Sequence, residues 1–88
     1  MPERTVQIVN KAGLHARPAA EIVKLAAKYK AEITVTRDDL EVNGKSIMGV
    51  MMLAAEYGST LDIKASGDDA EAAVDAIATT IANKFGES

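Results

Sequence analysis

The stretch Ala31-Glu32-Ile33-Thr34-Val35-Thr36-Arg37-Asp38-Asp39-Leu40-Glu41-Val42-Asn43 decides the fold class. Apolar and polar residues alternate with a period of two on both sides of Asp38-Asp39. Ile33, Val35, Leu40 and Val42 fall on one face, and Glu32, Thr34, Glu41 and Asn43 on the other. The acidic pair favours a tight turn, because aspartate side chains bond nearby backbone groups and tolerate unusual dihedrals. The segment therefore reads as a β-hairpin with one wet face. Strands buried on both faces are near-continuously apolar, so this alternation selects an antiparallel or mixed sheet covered on one side. The same phase recurs in Val6 and Ile8 before the hairpin and in Leu61, Ile63 and Ala65 after it. Thr5, Gln7, Asp62 and Lys64 take the opposite positions.

Three segments carry a helical period instead. Over residues 16–29, Ala19, Ile22, Val23 and Ala26 form one stripe, with Lys24 and Lys28 off it. Over 69–84 the stripe is Ala70, Ala73, Val74, Ile77, Ala78 and Ile81, continued by Phe85. Asp68 with Glu71 three residues later predicts its start, and Gly86 its C-cap. A short helix is expected over 46–55, with Ser46 as N-cap, Tyr57-Gly58 closing it, and Val50, Leu53 and Ala54 buried. The order β-α-β-β-α-β-α, with no linker or repeat, predicts an α+β open-faced sandwich. It is a four-stranded, mainly antiparallel sheet with three helices on one face, in a single domain over residues 1–88.

Composition narrows the function classes. Ten basic residues against thirteen acidic ones give a net charge of −3, and only Tyr29, Tyr57 and Phe85 are aromatic. That balance argues against a nucleic-acid partner. Without cysteine there is no disulfide, thiolate metal site or cysteine nucleophile, and the single histidine, His15, excludes multi-histidine metal sites. The longest charge-free apolar stretch, 46–55, is too short to cross a bilayer, and the N-terminus shows no apolar targeting segment. A soluble cytoplasmic protein without membrane contact is the expectation.

His15 is not explained by the fold. It lies between the first strand and the first helix, with Pro18 suited to a first helical turn. A helix N-terminus offers unpaired N–H groups and a dipole that favours an anion over a cation. A phosphorylated imidazole suits that position, because its oxygens can take those N–H groups. Arg17 adds a guanidinium able to hold phosphate oxygens in a bidentate way, and Gly13 lets the chain turn tightly. Surface histidine and solvated arginine is the bland alternative; the helix start, Gly13 and Arg17 taken together favour the phosphate reading.

The short helix carries Met48, Met51 and Met52. With Val50 and Leu53 facing the core, Met48 and Met52 point outward and Ile47 and Met51 lie at the flanks. Flexible apolar side chains in the open suit a docking surface that accepts several partners. Even burial of a tilted helix is the competing account, most directly for Met51.

Gly13-Leu14-His15-Ala16-Arg17-Pro18-Ala19, followed by Lys45-Ser46-Ile47-Met48-Gly49-Val50-Met51, closely resembles HPr. That family comprises the histidine-containing phosphocarriers of the bacterial phosphoenolpyruvate-dependent sugar phosphotransferase system. The resemblance spans essentially the whole chain. It implies that His15 accepts phosphate at Nδ1 from Enzyme I and passes it to EIIA proteins or domains. Arg17 and the backbone N–H groups of Ala16 and Arg17 would steady the phosphate. Ser46 matches a regulatory serine modified by HPr kinase/phosphorylase, and Ile47, Met48 and Met51 match the shared docking patch, to which Met52 is added here. No cofactor or metal is implied, and a monomeric relay is expected rather than a turnover enzyme.

The run Met51-Met52-Leu53-Ala54-Ala55, with Gly58-Ser59, looks more like proteobacterial HPr and nitrogen-branch paralogues, whereas Pro18 fits the sugar branch. A nitrogen-branch or regulatory phosphocarrier is thus the near alternative. A small ligand-binding regulatory domain is a more distant one, since it needs a pocket that 88 residues around one core scarcely provide. A hydrolase or metalloenzyme lacks a second histidine or a cysteine to work with.

Overall fold

The computed structural model describes residues 2–86; Met1, Glu87 and Ser88, which the single-domain expectation includes, lie outside the described residues. Strand β1 spans Glu3–Gln7, β2 Glu32–Arg37, β3 Leu40–Asn43 and β4 Thr60–Ser66. Helix α1 spans Ala16–Ala26, α2 Ile47–Met52 and α3 Ala70–Ala82, followed by a 3-10 turn over Lys84–Gly86. The sheet order is β1-β4-β2-β3, and every neighbouring pair is antiparallel. The expected α+β architecture and element order are those of the structure.

The inward phase of the sheet is set where β2 and β4 meet. Val35 lies opposite Ile63 and Ile33 opposite Ala65, all four buried, while Thr34 opposes Lys64 on the open face. Helix α3 lies over β1 and β4, and α1 packs between α3 and α2, with α2 against β3. Ile22, Val50, Val74, Ile77 and Ile81 close the core from the helix layer.

Several expectations need correction. Helix α1 stops at Ala26 rather than residue 29: the N–H groups of Lys28 and Tyr29 turn back to Leu25 and Ala26 at 3.1 Å, and Lys45 Nζ donates to the Tyr29 carbonyl at 2.8 Å. Helix α2 ends at Met52, and Ala54, expected in the core, is exposed in the left-handed region at φ 48°; Ala55 is buried instead. Leu40 is 40% exposed although its phase points inward, because α2 is too short to roof that corner of an edge strand. Phe85 reaches the core by left-handed turns at Lys84 and Phe85, not along the helix stripe, which α3 ends at Ala82.

The start of α3 is organised differently too. Asp69, not Asp68, is the N-cap residue, and its carboxylate caps nothing in its own helix. It accepts the backbone N–H groups of Lys30 at 2.8 Å and Ala31 at 2.9 Å, tying the α1–β2 turn to α3. Glu71 is no capping-box partner; it joins Asp75 in holding Arg4 on β1. The Lys30 N–H is the main cause that holds the Asp69 carboxyl below its usual range, assisted by Ala31 and Lys45. A depressed folded-state value contributes stability above the unfolded pKa, and that stability is lost as pH falls through the folded value. Wild type should therefore lose thermal midpoint through the acidic range below the ordinary aspartate value. Asp69→Asn should start lower at neutral pH and converge with wild type in acid. Parallel midpoint curves for the two proteins would remove Asp69 from the pH dependence.

Candidate phosphoacceptor site

The segment before α1 is built on a buried asparagine. Asn10 is fully buried; its Nδ2 donates to the Gly13 carbonyl at 2.8 Å, and its own carbonyl accepts the Gly13 N–H at 3.1 Å. The His15 N–H also donates to the Gly13 carbonyl, at 3.0 Å. Gly13 has φ 73°, and a Cβ there would lie 2.9 Å from the Ala55 carbonyl oxygen. Glycine is required for both the backbone angle and the close approach. Next along the chain, the Leu14 N–H donates to that same Ala55 carbonyl at 2.8 Å while the Leu14 side chain sinks into the core. The loop is thus clamped onto the segment that follows α2.

His15 emerges from this clamp as the N-cap residue of α1, exposed and extended at φ −83° and ψ −171°. Its imidazole is not used to cap the helix, while its carbonyl accepts the Ala19 N–H at 3.0 Å. Ala16, Arg17 and Pro18 form the first turn, whose N–H groups have no intrahelical acceptor, and Pro18 has none to offer. The N–H groups of Ala16 and Arg17 are the donors left at this end. The first turn holds no acidic residue, so nothing there competes with an incoming anion. Arg17 is exposed two residues from the histidine.

An open depression of about 510 Å³ borders His15, lined by Lys11, Ala12, Leu14 and residues 54–57. Its walls suit contact with another protein surface rather than enclosure of a small molecule. A second one, about 350 Å³, lies over Glu32, Thr34, Glu41 and Asn43 on the open sheet face and contains neither the histidine nor an arginine. Among the described residues no group of three or more histidine, cysteine or acidic side chains is placed to hold a metal ion.

Ser46 stands at the far end of α2. Its Oγ accepts the Gly49 N–H at 3.1 Å, so the serine is a true N-cap. Six residues of helix at 1.5 Å each put about 9 Å of α2 between Ser46 and the end that abuts the His15 loop. Met48 is 75% and Met52 64% exposed, with Ile47 and Met51 near 42 and 43%. The structure thus brings His15 together with residues 54–57, keeps Ala16 and Arg17 in the helical turn that follows it, sets Ser46 apart, and strings the apolar side chains between.

Sequence reasoning missed Asn10 and Arg37. A buried asparagine in a loop leaves no periodic trace. Arg37 did leave one: it continues the inward phase of Ile33 and Val35, a charged residue where an apolar one is expected.

These features meet in one family. A sequence model described as the PTS HPr component phosphorylation site matches residues 2–83. The chain is 46% identical over 87 residues to the phosphocarrier protein HPr of Cupriavidus necator, covering 99% of this chain and 98% of that one. It is 41% identical over 86 residues to the phosphocarrier protein NPr of Shewanella violacea, covering 98% and 94%. The crystal structure of HPr-C-His from Thermoanaerobacter tengcongensis superposes with a TM-score of 0.96 at 48% identity, over 100% of this chain and 99% of that one. A small carrier with an exposed histidine at a helix start is what the fold and site define. The chain belongs to the HPr family, the phosphohistidine carriers of the phosphotransferase system that serves transport.

No described helix is long and apolar enough to cross a membrane.

Proposed function

We propose that residues 1–88 act as one monomeric carrier in the cytoplasm. His15 accepts a phosphoryl group from phosphorylated Enzyme I and delivers it to EIIA proteins or domains in sugar uptake. The observation that carries this reading is the exposed His15 at the N-cap of α1, with the N–H groups of Ala16 and Arg17 in the first turn beside it. A phosphoryl group on the imidazole gains hydrogen bonds and a favourable dipole there, and loses them on transfer to an acceptor that offers the same. Incubation with phosphoenolpyruvate and Enzyme I, followed by peptide mapping of acid-labile phosphate, tests it. Phosphate on any residue but His15 would refute it.

Arg17→Ala should slow transfer without ending it, because the N–H groups remain. Loss of a charge-assisted contact costs on the order of 1.5–3 kcal/mol, roughly one to two decades in rate if felt fully in the transition state. Arg17→Lys should recover part, since the ammonium keeps charge but not the planar fork. Rapid-quench transfer kinetics decide this, and wild-type rates in both variants would remove Arg17 from the chemistry.

In the same reading Ile47, Met48, Met51 and Met52 form the docking patch, and Ser46 is a regulatory site for a kinase of the HPr kinase/phosphorylase type. Their arrangement along α2, with the serine capping the helix that bears the patch, supports this. A second reading, the nitrogen branch, has the support of the NPr relative. Transfer rates from a sugar-branch and a nitrogen-branch Enzyme I, measured side by side, separate the two.

A further inference from the structure

Arg37 is the last residue of β2, half-buried on the side of the sheet that faces the helices, and its guanidinium bonds to backbone. Nη1 donates to the Leu53 carbonyl and to the Ala54 carbonyl, each at 2.9 Å. These are the two carbonyls that flank the Cα of Ala54. That alanine holds φ 48°, a left-handed conformation that L-residues other than glycine, asparagine and aspartate rarely adopt. The preceding turn is tight as well: Leu53 N–H donates to Val50 at 3.2 Å and Ala54 N–H to Met51 at 3.0 Å. Helix α2 therefore ends in a strained reversal, and one nitrogen atom holds both peptide planes of it.

The residue after the reversal is Ala55, whose carbonyl accepts the Leu14 N–H at 2.8 Å and packs against Gly13. A continuous backbone path thus runs from Arg37 through Ala54 and Ala55 to Leu14, the neighbour of His15. The same reversal fixes where α2, with Met51 and Met52, ends relative to that loop. Without the arginine, Ala54 would lose the contacts that offset its strained angle, and the Ala55 carbonyl would no longer be aimed at Leu14.

We propose that Arg37 is a positioning residue for phosphoryl transfer: by holding the left-handed Ala54 it sets the distance between the α2 docking face and His15. This rests on the reading of His15 as the phosphoacceptor. Arg37 touches neither phosphate nor partner. Its effect appears after docking, because a partner seated on α2 then presents its phosphohistidine to a misplaced imidazole. Misplacement of reacting groups by about 1 Å can cost two decades in rate, so a partial shift is expected to cost roughly ten-fold or more.

The test uses the full chain with Enzyme I and phosphoenolpyruvate. Arg37→Ala is expected to lower the transfer rate at saturating Enzyme I about ten-fold with little change in KM. The Leu14 amide and His15 ring resonances should shift in heteronuclear NMR spectra taken well below the unfolding midpoint. Arg37→Lys should restore part of both, because the two bonds come from a single nitrogen that an ammonium can replace. Should Arg37→Ala prove unfolded, the same readouts on Arg37→Gln, which keeps much of the stem and a neutral donor, decide the matter. Unchanged rates with an unchanged Leu14 amide would overturn the proposal, and so would a raised KM at constant maximal rate, which would mean that Arg37 contacts the partner. Phosphorylation that persists in His15→Ala would instead overturn the acceptor assignment beneath it, so the two failures are distinct.

Discussion

His15→Ala should take up no acid-labile phosphate from Enzyme I, and its thermal unfolding should match wild type within roughly 0.5 kcal/mol. The first half follows from chemistry. A phosphoryl group passed between proteins needs a nucleophile that is also a good leaving group, and imidazole nitrogen is both. The chain has one histidine and no cysteine, and its ten lysine and arginine side chains are ordinarily protonated at neutral pH and so poor nucleophiles. The second half follows from position. His15 is exposed at the N-cap, and the helix takes no capping bond from its imidazole. The loop is held by Asn10, Gly13, Leu14 and Ala55, all of which the substitution leaves in place. Mass spectrometry after incubation with phosphoenolpyruvate and Enzyme I, with a thermal melt on the same preparation, checks both. Residual acid-labile phosphate would move the acceptor elsewhere, and a collapse of the melt would make His15 a structural residue.

The alternating strands were legible because each has a wet and a dry face, and a period of two is hard to produce otherwise. Ile33, Val35, Leu61 and Ile63 are buried as their phase requires. Phase says which way a residue points but not whether anything covers it, and Leu40 fell outside the reach of the six-residue α2. The boundaries of α1 and α3 were displaced by tertiary bonds that no local pattern encodes. Asp69 resembles a cap in sequence, yet its carboxylate is taken by Lys30 and Ala31 from another part of the chain. The site divides in the same way. That His15, Arg17 and Ser46 stand at helix starts is legible, because the signals for a helix start are local. Arg37 and Ala54 are joined across 17 residues of sequence through a backbone carbonyl, and a carbonyl has no letter.

The arrangement also explains why a carrier of this size needs no pocket. In the proposed reading specificity lies on α2 and chemistry on the first turn of α1, and the short backbone segment from Leu53 to Glu56 joins them. On that reading a partner would meet the apolar side chains of α2 and cations of the α1 end, with Lys11, Arg17 and Lys24 all exposed. Complementarity of that kind favours acidic partners and fast encounter over tight burial. It also leaves the contact open to control by a single charge at the edge of the stripe.

Ser46→Asp, in place of a phosphoserine, should raise the apparent KM for Enzyme I by about two decades while leaving transfer at saturation near wild type. Like charges brought together at an interface cost several kcal/mol, and each decade in affinity is about 1.4 kcal/mol. The serine caps α2 through its bond from the Gly49 N–H, and the patch of Ile47, Met48 and Met51 begins one residue on. Aspartate caps a helix as well as serine, and its charge at the helix start is favourable by ~0.3–1 kcal/mol. Stability should therefore stay level or rise slightly. If α2 is the docking face, as proposed, the new charge burdens an apolar surface that must be desolvated and repels acidic partner groups drawn toward Arg17. A true phosphate, with ~1.5 to 2 negative charges, should act more strongly in the same direction. About 9 Å of helix separates the charge from the end of α2 beside His15, so the bound complex should react normally. Because surface repulsion is screened within about 8 Å at physiological salt, added salt should narrow the KM difference. Thermal midpoint and transfer kinetics at two ionic strengths, on one preparation, test each part. A fall in the saturated rate at constant KM would place the effect at His15 itself, and a large loss of midpoint would place it in folding; either result would end the docking account of Ser46.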